Sequence, residues 1–353
     1  HVHSTIAANR MLALQIIELL HFTGEIDLAS NWGESAIAKV AAEVEGRLDP
    51  RAHARALTNL AKVFGWAGKH EEAHELAVRA LEAVDDAEAY HNAAMNSLRL
   101  GRVVEAVEYY EQVLKRSPKN AAALSDLGFA LTRLGRFESA AAALRKSLDI
   151  EDSERAHFNM GRLLERLERY DEAIVEFQEA LQINPARGEY HIAAADIHAK
   201  RGYIDQALQQ YTRALEKDGR LSNAYYRRAG IYQLQHDSAR AVSDLRAMLA
   251  LAPDSPKALA QLTWILSSDP DAALRDGREA VAAGEYAVRL TRERDADALG
   301  ALAAAYAEME LWTEAVDAAR RAIEKISADP DALEIARARL AQYERREPHR
   351  FVR

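Results

Sequence analysis

The sequence predicts an all-α solenoid, a stack of helix pairs, and three observations predict it. Only 8 of 353 residues are proline and 16 glycine, while Ala, Leu, Glu and Arg dominate, a mixture that favours helix. A pattern returns along the chain with a period of about 34 residues. Within each period two places are kept small, as helices in close contact require.

The elements follow in order. A less regular pair occupies roughly 5–48, with Gly24 at its turn. Six regular units lie at 54–86, 87–120, 121–153, 154–187, 188–221 and 222–255. The second reads AEAYHNAAMNSLRLGRVVEAVEYYEQVLKRSPKN and the fourth ERAHFNMGRLLERLERYDEAIVEFQEALQINPAR. Counted from the start of each unit, the eighth place holds Ala61, Ala94, Gly128, Gly161, Ala195, Ala229 and Ala303. The twentieth holds Ala73, Ala106, Ala140, Ala173, Ala207, Ala241, Ala280 and Ala315. Larger apolar residues such as Leu127, Leu131, Leu144, Tyr110, Tyr170 and Phe177 recur between them at helical spacing, which gives each helix a buried stripe. Pro118, Pro185 and Pro253 end second helices, because proline cannot continue a helix.

A seventh unit starts near Pro256 and is interrupted by SSDPDAALRDG, residues 267–277; an eighth starts near Ala296. A solenoid needs a cap on its last apolar face. After Pro330, Leu333, Ala336, Leu340 and Tyr343 share one helix face, with Glu334, Arg339, Gln342 and Arg346 on the other. Residues 331–346 are therefore expected as the capping helix and the remainder as a tail. The expected divisions are 1–53, 54–255, 256–330 and 331–353.

These units resemble the tetratricopeptide repeat, in its bacterial type. The resemblance covers nearly the whole chain and implies a right-handed α-solenoid of about eight to nine helix pairs with a C-terminal capping helix. It implies a protein-interaction scaffold rather than an enzyme, with no cofactor. The stretch from Leu262 to Ile323 also looks like the C-terminal end of many bacterial members, some attached to membrane glycosyltransferases or envelope enzymes. A scaffold or regulatory module of an envelope glycosylation or polysaccharide-export system is the second expectation.

Composition narrows the partners. At 49% hydrophobic and 29% charged residues the chain is globular, and the absence of cysteine removes disulfides and thiolate metal sites. A formal net charge of −9 argues against nucleic acid as the general partner. The longest apolar candidate, Leu12 to Leu20, is broken by Gln15 and Glu18 and falls short of the ~20 residues a membrane span needs. The chain begins at His1, which leaves room for a leader or anchor ahead of it. Neither cytoplasm nor periplasm is singled out.

His70-Glu71-Glu72-Ala73-His74 matches H-E-x-x-H, in which two histidines on one helix face bind zinc and the glutamate acts as base. The repeat phase explains the same letters without metal. It puts His70 in the aromatic slot beside the turn, just before the regular helix, and Ala73 at a helix contact. A zinc hydrolase is the third expectation, and no metal ligand is assigned. His157, His191 and His198 fall in core-type places.

The resemblance implies that first-helix places two, five, six, nine, twelve and thirteen line an inner groove. Place thirteen puts Arg99, Arg133, Arg166 and Lys200 in one row. Place six gives Asn59, Asn92, Asp126 and Asn159, and similar asparagines in the family hold the backbone of an extended peptide. Places five and nine add Phe158 and Tyr226, and Met95, Phe129 and Trp264, apolar side chains with no evident partner inside the fold. The expected ligand is an extended peptide or protein segment, acidic ones included. The family's clamp for chaperone C-termini needs cations and asparagine where this chain has Thr58, Lys62, His91, Met95, Ser125 and Phe129, so that partner is not expected.

Overall fold

The computed structural model describes residues 49–326 and 329–351, so the first pair expected at 5–48 lies outside the described residues. These residues form seventeen α-helices and one short 3-10 turn, with no strand among them. They fall into two compact units that meet in sequence between Arg116 and Ser117.

The first unit contains α1 (Pro50–Trp66), α2 (His70–Ala83), α3 (Ala87–Arg99) and α4 (Val103–Arg116). The second contains α5 (Ala121–Arg133), α6 (Phe137–Ile150), α7 (Glu154–Arg166), α8 (Tyr170–Ile183), α9 (Gly188–Lys200) and α10 (Ile204–Lys217). It continues through α11 (Ser222–Leu234), α12 (Ser238–Leu251), α13 (Pro256–Ser268), α14 (Gly277–Leu290), α15 (Ala296–Glu308), α16 (Trp312–Lys325) and α17 (Pro330–Glu344). Odd and even helices from α1 to α16 make successive pairs, and each pair packs on the next within its unit.

The small places close the pairs. Every alanine at place twenty is fully buried. A Cβ added to Gly128 would stand 2.5 Å from Leu144, and one added to Gly161 2.6 Å from the Phe177 ring. Nothing larger than glycine fits at either crossing without displacing a buried side chain.

Caps set most of the boundaries. Asp86, Asn120, Ser153, Asp295 and Asp329 each accept backbone N–H bonds at a first-helix or cap-helix start. Asp49 does the same ahead of Pro50, so α1 starts at Pro50 and not at the expected Ala54. His70 is the first residue of α2, where the sequence expectation had it just outside the helix.

First helices end in one recurrent way. The residue at place fifteen is left-handed: Gly68, Gly101, Gly135, Glu168, Gly202, His236 and Glu310. Its N–H caps the carbonyl at place twelve, and the residue after it caps place eleven. The seventh pair departs from this. Its place fifteen is Pro270, which has no N–H and cannot take a positive φ. The chain instead runs out through residues 269–275 and returns at Asp276, whose N–H reaches the Leu266 carbonyl at 2.9 Å. The break in the repeat phase is a proline problem solved by a loop.

α17 lies on the eighth pair. Tyr343 is 1% exposed in a cluster with Ala303, Ala304, Ala307, Ala315, Ala318 and Ala319, and Leu340 packs beside it. Arg339, expected on the solvent face, turns inward and stands 4.4 Å from the Trp264 ring centroid. It lies one helical turn before Tyr343 and so shares the inner face. Residues 347–351 are not a free tail: they return to the end of α13.

Candidate functional site

The predicted groove residues divide between the two units. In the first, Asn59 is exposed, and Asn92 is 6% exposed with its side-chain amide donating to the Glu88 carbonyl at 2.8 Å. Met95 is half-buried and Arg99 exposed at the end of α3.

In the second unit the amide ladder is absorbed by the fold. Asn159 on α7 donates to the Ser125 hydroxyl at 2.9 Å and to its carbonyl at 3.2 Å on α5. Asp126, 2% exposed, receives the Arg155 guanidinium at 2.6 Å. Place six is therefore a joint between consecutive first helices here, because those helices are close enough to bury it.

The aromatic row divides too. Phe158 stacks on Tyr190 with centroids 4.5 Å apart and leans on Phe177 at 5.6 Å, which corrects the expectation that it lacks an internal partner. Tyr226 packs partly against the core around Leu245 and Ile265. Phe129 is half-buried, with Arg133 one turn later and exposed. Arg166 is also exposed. Lys200 is not spare: its Nζ meets Glu165 at 2.5 Å.

Ion pairs between neighbouring pairs of helices recur, and sequence reasoning missed them. Lys62 bonds Glu88 and Arg227 approaches Asp196 at 3.2 Å, while within the sixth pair Arg228 grips Asp244 with two bonds of 2.8 Å. Burial raises the Asp196 carboxyl against the opposing pull of Tyr211, which donates to it at 2.5 Å, and of Arg227. The signal was available as acids and bases about 30 residues apart, slightly less than one repeat.

The histidines are held as parts of helix packing. His74 is 7% exposed, with Nε2 3.4 Å from Glu105 and its ring 6.1 Å from that of Tyr109. His191 contacts Gln210 at 2.7 Å, and His157 meets Glu176 and Asp152 at 2.7 and 2.8 Å. Among the described residues no three His, Cys, Asp or Glu side chains gather as metal ligands. No helix among them is long and apolar enough to cross a membrane.

The other concentration of exposed chemistry in the second unit surrounds Trp264. Openings of about 610 and 550 Å³ flank this region, the first reaching Tyr226, Lys257, Asp297 and Arg339, the second Gln233, Asp237 and Asp269. Phe351 borders both.

Models of the tetratricopeptide repeat match residues 53–83, 97–167 and 154–187. Anaphase-promoting complex subunit 3 of Schizosaccharomyces pombe is 28% identical over 119 residues, 33% of this chain and 18% of that protein. Protein O-mannosyl-transferase TMTC1 of Homo sapiens is 24% identical over 140 residues, 40% of this chain and 16% of that protein. The matches thus span less than a fifth of either relative's length. Among solved structures, TTC0263, a thermophilic TPR protein of Thermus thermophilus, is 25% identical, with a TM-score of 0.48 over 51% of this chain and 99% of its own.

Proposed function

We propose, on the premise that the chain is a tetratricopeptide-repeat protein and hence a protein-interaction scaffold, that its first-helix faces bind an extended segment of a partner protein. The observation that carries this is the Phe129 ring, left half-buried on α5 where neighbouring Asp126 and Asn159 are used up in packing, with Arg133 exposed one turn later. Arg166 adds a second exposed cation in this unit. In the first unit Asn59, Met95 and Arg99 offer an exposed amide, a thioether and a cation. A partner segment on the second unit would set an apolar side chain on Phe129 and carboxylates near Arg133 and Arg166. Charge would then govern association and salt sensitivity, and the aromatic contact dissociation.

Affinity capture of partners with the intact chain tests this. The Phe129→Ala chain should lose about 1–3 kcal/mol of binding. A triple Arg99→Glu, Arg133→Glu, Arg166→Glu chain should lose its salt dependence while staying folded, since exposed ion pairs contribute little to stability. If the triple variant captures the same partner with unchanged affinity and salt response, the first-helix face is not the site.

A second reading makes the chain a module of a glycosylation or polysaccharide-export system. Its support is the match to the O-mannosyl-transferase TMTC1, of which this chain covers 16%. Recovery of a glycosyltransferase in the same capture would favour it. We assign no catalytic role to His70 or His74: the repeat phase accounts for His70 at the start of α2, and His74 packs against Glu105 and Tyr109.

A further inference from the structure

At the seventh pair, Pro270 leaves the carbonyl at place twelve without the N–H that the left-handed residue supplies in the other pairs. That carbonyl belongs to Ser267. It accepts from the Arg350 guanidinium at 3.1 Å, and the next carbonyl, of Ser268, accepts from the Phe351 backbone N–H at 2.9 Å. The other side of the same guanidinium bonds Glu308 on α15, which Arg275 of the loop also holds at 2.9 Å. Trp264 completes the seat, with the Phe351 ring 6.4 Å and the His349 ring 6.1 Å from it. Residues 349–351 thus lie on the end of α13 as a short peptide ligand would. They use one backbone bond, one guanidinium shared between two acceptors and two aromatic contacts with Trp264.

The seat is larger than its occupant. Open space continues on both sides of Phe351. On the side toward α11 and the loop it is bordered by Asp237, Asp269 and Asp271, so a ligand extending that way would meet carboxylates.

We propose that this end of the seventh and eighth pairs is a second peptide site, distinct from the Phe129 face. It takes an extended partner segment carrying an arginine followed by an aromatic residue, and the chain's own Arg350–Phe351 is its resident occupant. The proposal rests on the scaffold reading and adds a ligand chemistry, cationic and aromatic, opposite to the acidic segment suited to the arginines. A tethered occupant acts at an effective concentration of about 1 mM, so an outside segment must displace it to bind.

The test uses the full chain and a fluorescent peptide, Glu-Pro-His-Arg-Phe-Val-Arg, in an anisotropy titration. An Arg350→Ala, Phe351→Ala chain should bind it about tenfold or more tightly than the intact chain, because its own tail no longer competes. Trp264→Phe or Glu308→Gln in that background should weaken binding about tenfold, as should glutamate in place of the peptide's arginine. Circular dichroism establishes that each variant is folded, and the single Phe351→Ala chain serves if the double variant is not. No binding to a folded tail variant overturns the proposal. So does binding indifferent to the peptide's arginine. Concentration-dependent dimers of the intact chain that vanish in the tail variant would make a second copy the occupant, and would also overturn it. Partner capture at the Phe129 face is unaffected by any of these outcomes, so the two readings fail separately.

Discussion

Asn159 donates its side-chain amide to both the hydroxyl and the carbonyl of Ser125, joining α7 to α5. A residue whose type and place suggested peptide binding instead ties one repeat to the next. The consequence is energetic. Asn159→Ala should lower stability by about 1–3 kcal/mol, since it leaves a buried serine with fewer partners. Asn59→Ala, at the same place but exposed, should stay within about 0.5 kcal/mol. Denaturant titrations followed by circular dichroism check the pair, and equal losses at both positions would contradict the assignment.

The close crossings predict a second stability difference. Gly161→Ala would set a Cβ 2.6 Å from the fully buried Phe177 ring and should cost about 1–3 kcal/mol. Ala173→Leu should cost a similar amount or more at its own fully buried crossing. Neutral melting behaviour in either variant would mean that the helix pairs are spaced more widely than described.

The final helix makes a third prediction. Deleting residues 331–353 removes Tyr343 and Leu340 from the alanine-rich face of the eighth pair and strips the cover from Trp264. An uncovered solenoid end should self-associate. Light scattering should show oligomers or aggregation. A monomeric truncated chain of unchanged melting temperature would show that α17 is not a cap.

The pH response of the tail is a fourth. Burial, then the charges of Arg339 and Arg350, lower the His349 imidazole to about 4. Its other neighbours are Gln342, at 3.3 Å, and the rings of Trp264 and Phe351. The seated state therefore prefers neutral histidine. Its advantage is complete above the ordinary histidine value of about 6.5 and is lost as pH falls from there to about 4. Hydrogen exchange at the Phe351 amide should accelerate over that window, after correction for the intrinsic rate. His349→Gln should flatten the response.

His157 should respond in the opposite sense. Burial alone would lower it, but the hydrogen bonds to Glu176 and Asp152 prevail and the net shift is upward. Its contribution to stability is complete below about 6.5 and disappears as pH rises through the raised folded value. The His157→Gln chain should lose stability relative to the parent at pH 5 and less at pH 8. A difference independent of pH would contradict this.

Much of the fold was legible because the stacking of helix pairs leaves a local signature. Ala173 and Gly161 sit where they do because two helices cross there, and the same crossing recurs each period. The site was less legible. Phe158 and Phe129 occupy neighbouring rows and look alike in sequence. Only the position of Tyr190, one repeat later, shows that one ring is stacked and the other is half open to solvent. Lys200 reads as part of a cationic row until Glu165 on the preceding first helix is seen to hold it.

By itself the sequence determined the helix pairs and their small contacts, since these depend on periodicity within a segment and on the size of one residue. It also carried the irregularity, Pro270, whose missing N–H breaks the turn used by the other pairs. What covers the carbonyls left at Ser267 and Ser268 was decided only by tertiary structure. Arg350 lies 83 residues from Ser267, and no local pattern links them. They meet because the eighth pair and α17 carry the chain back to the end of α13. There unsatisfied backbone acceptors, Glu308 and Trp264 favour a cation beside an aromatic ring.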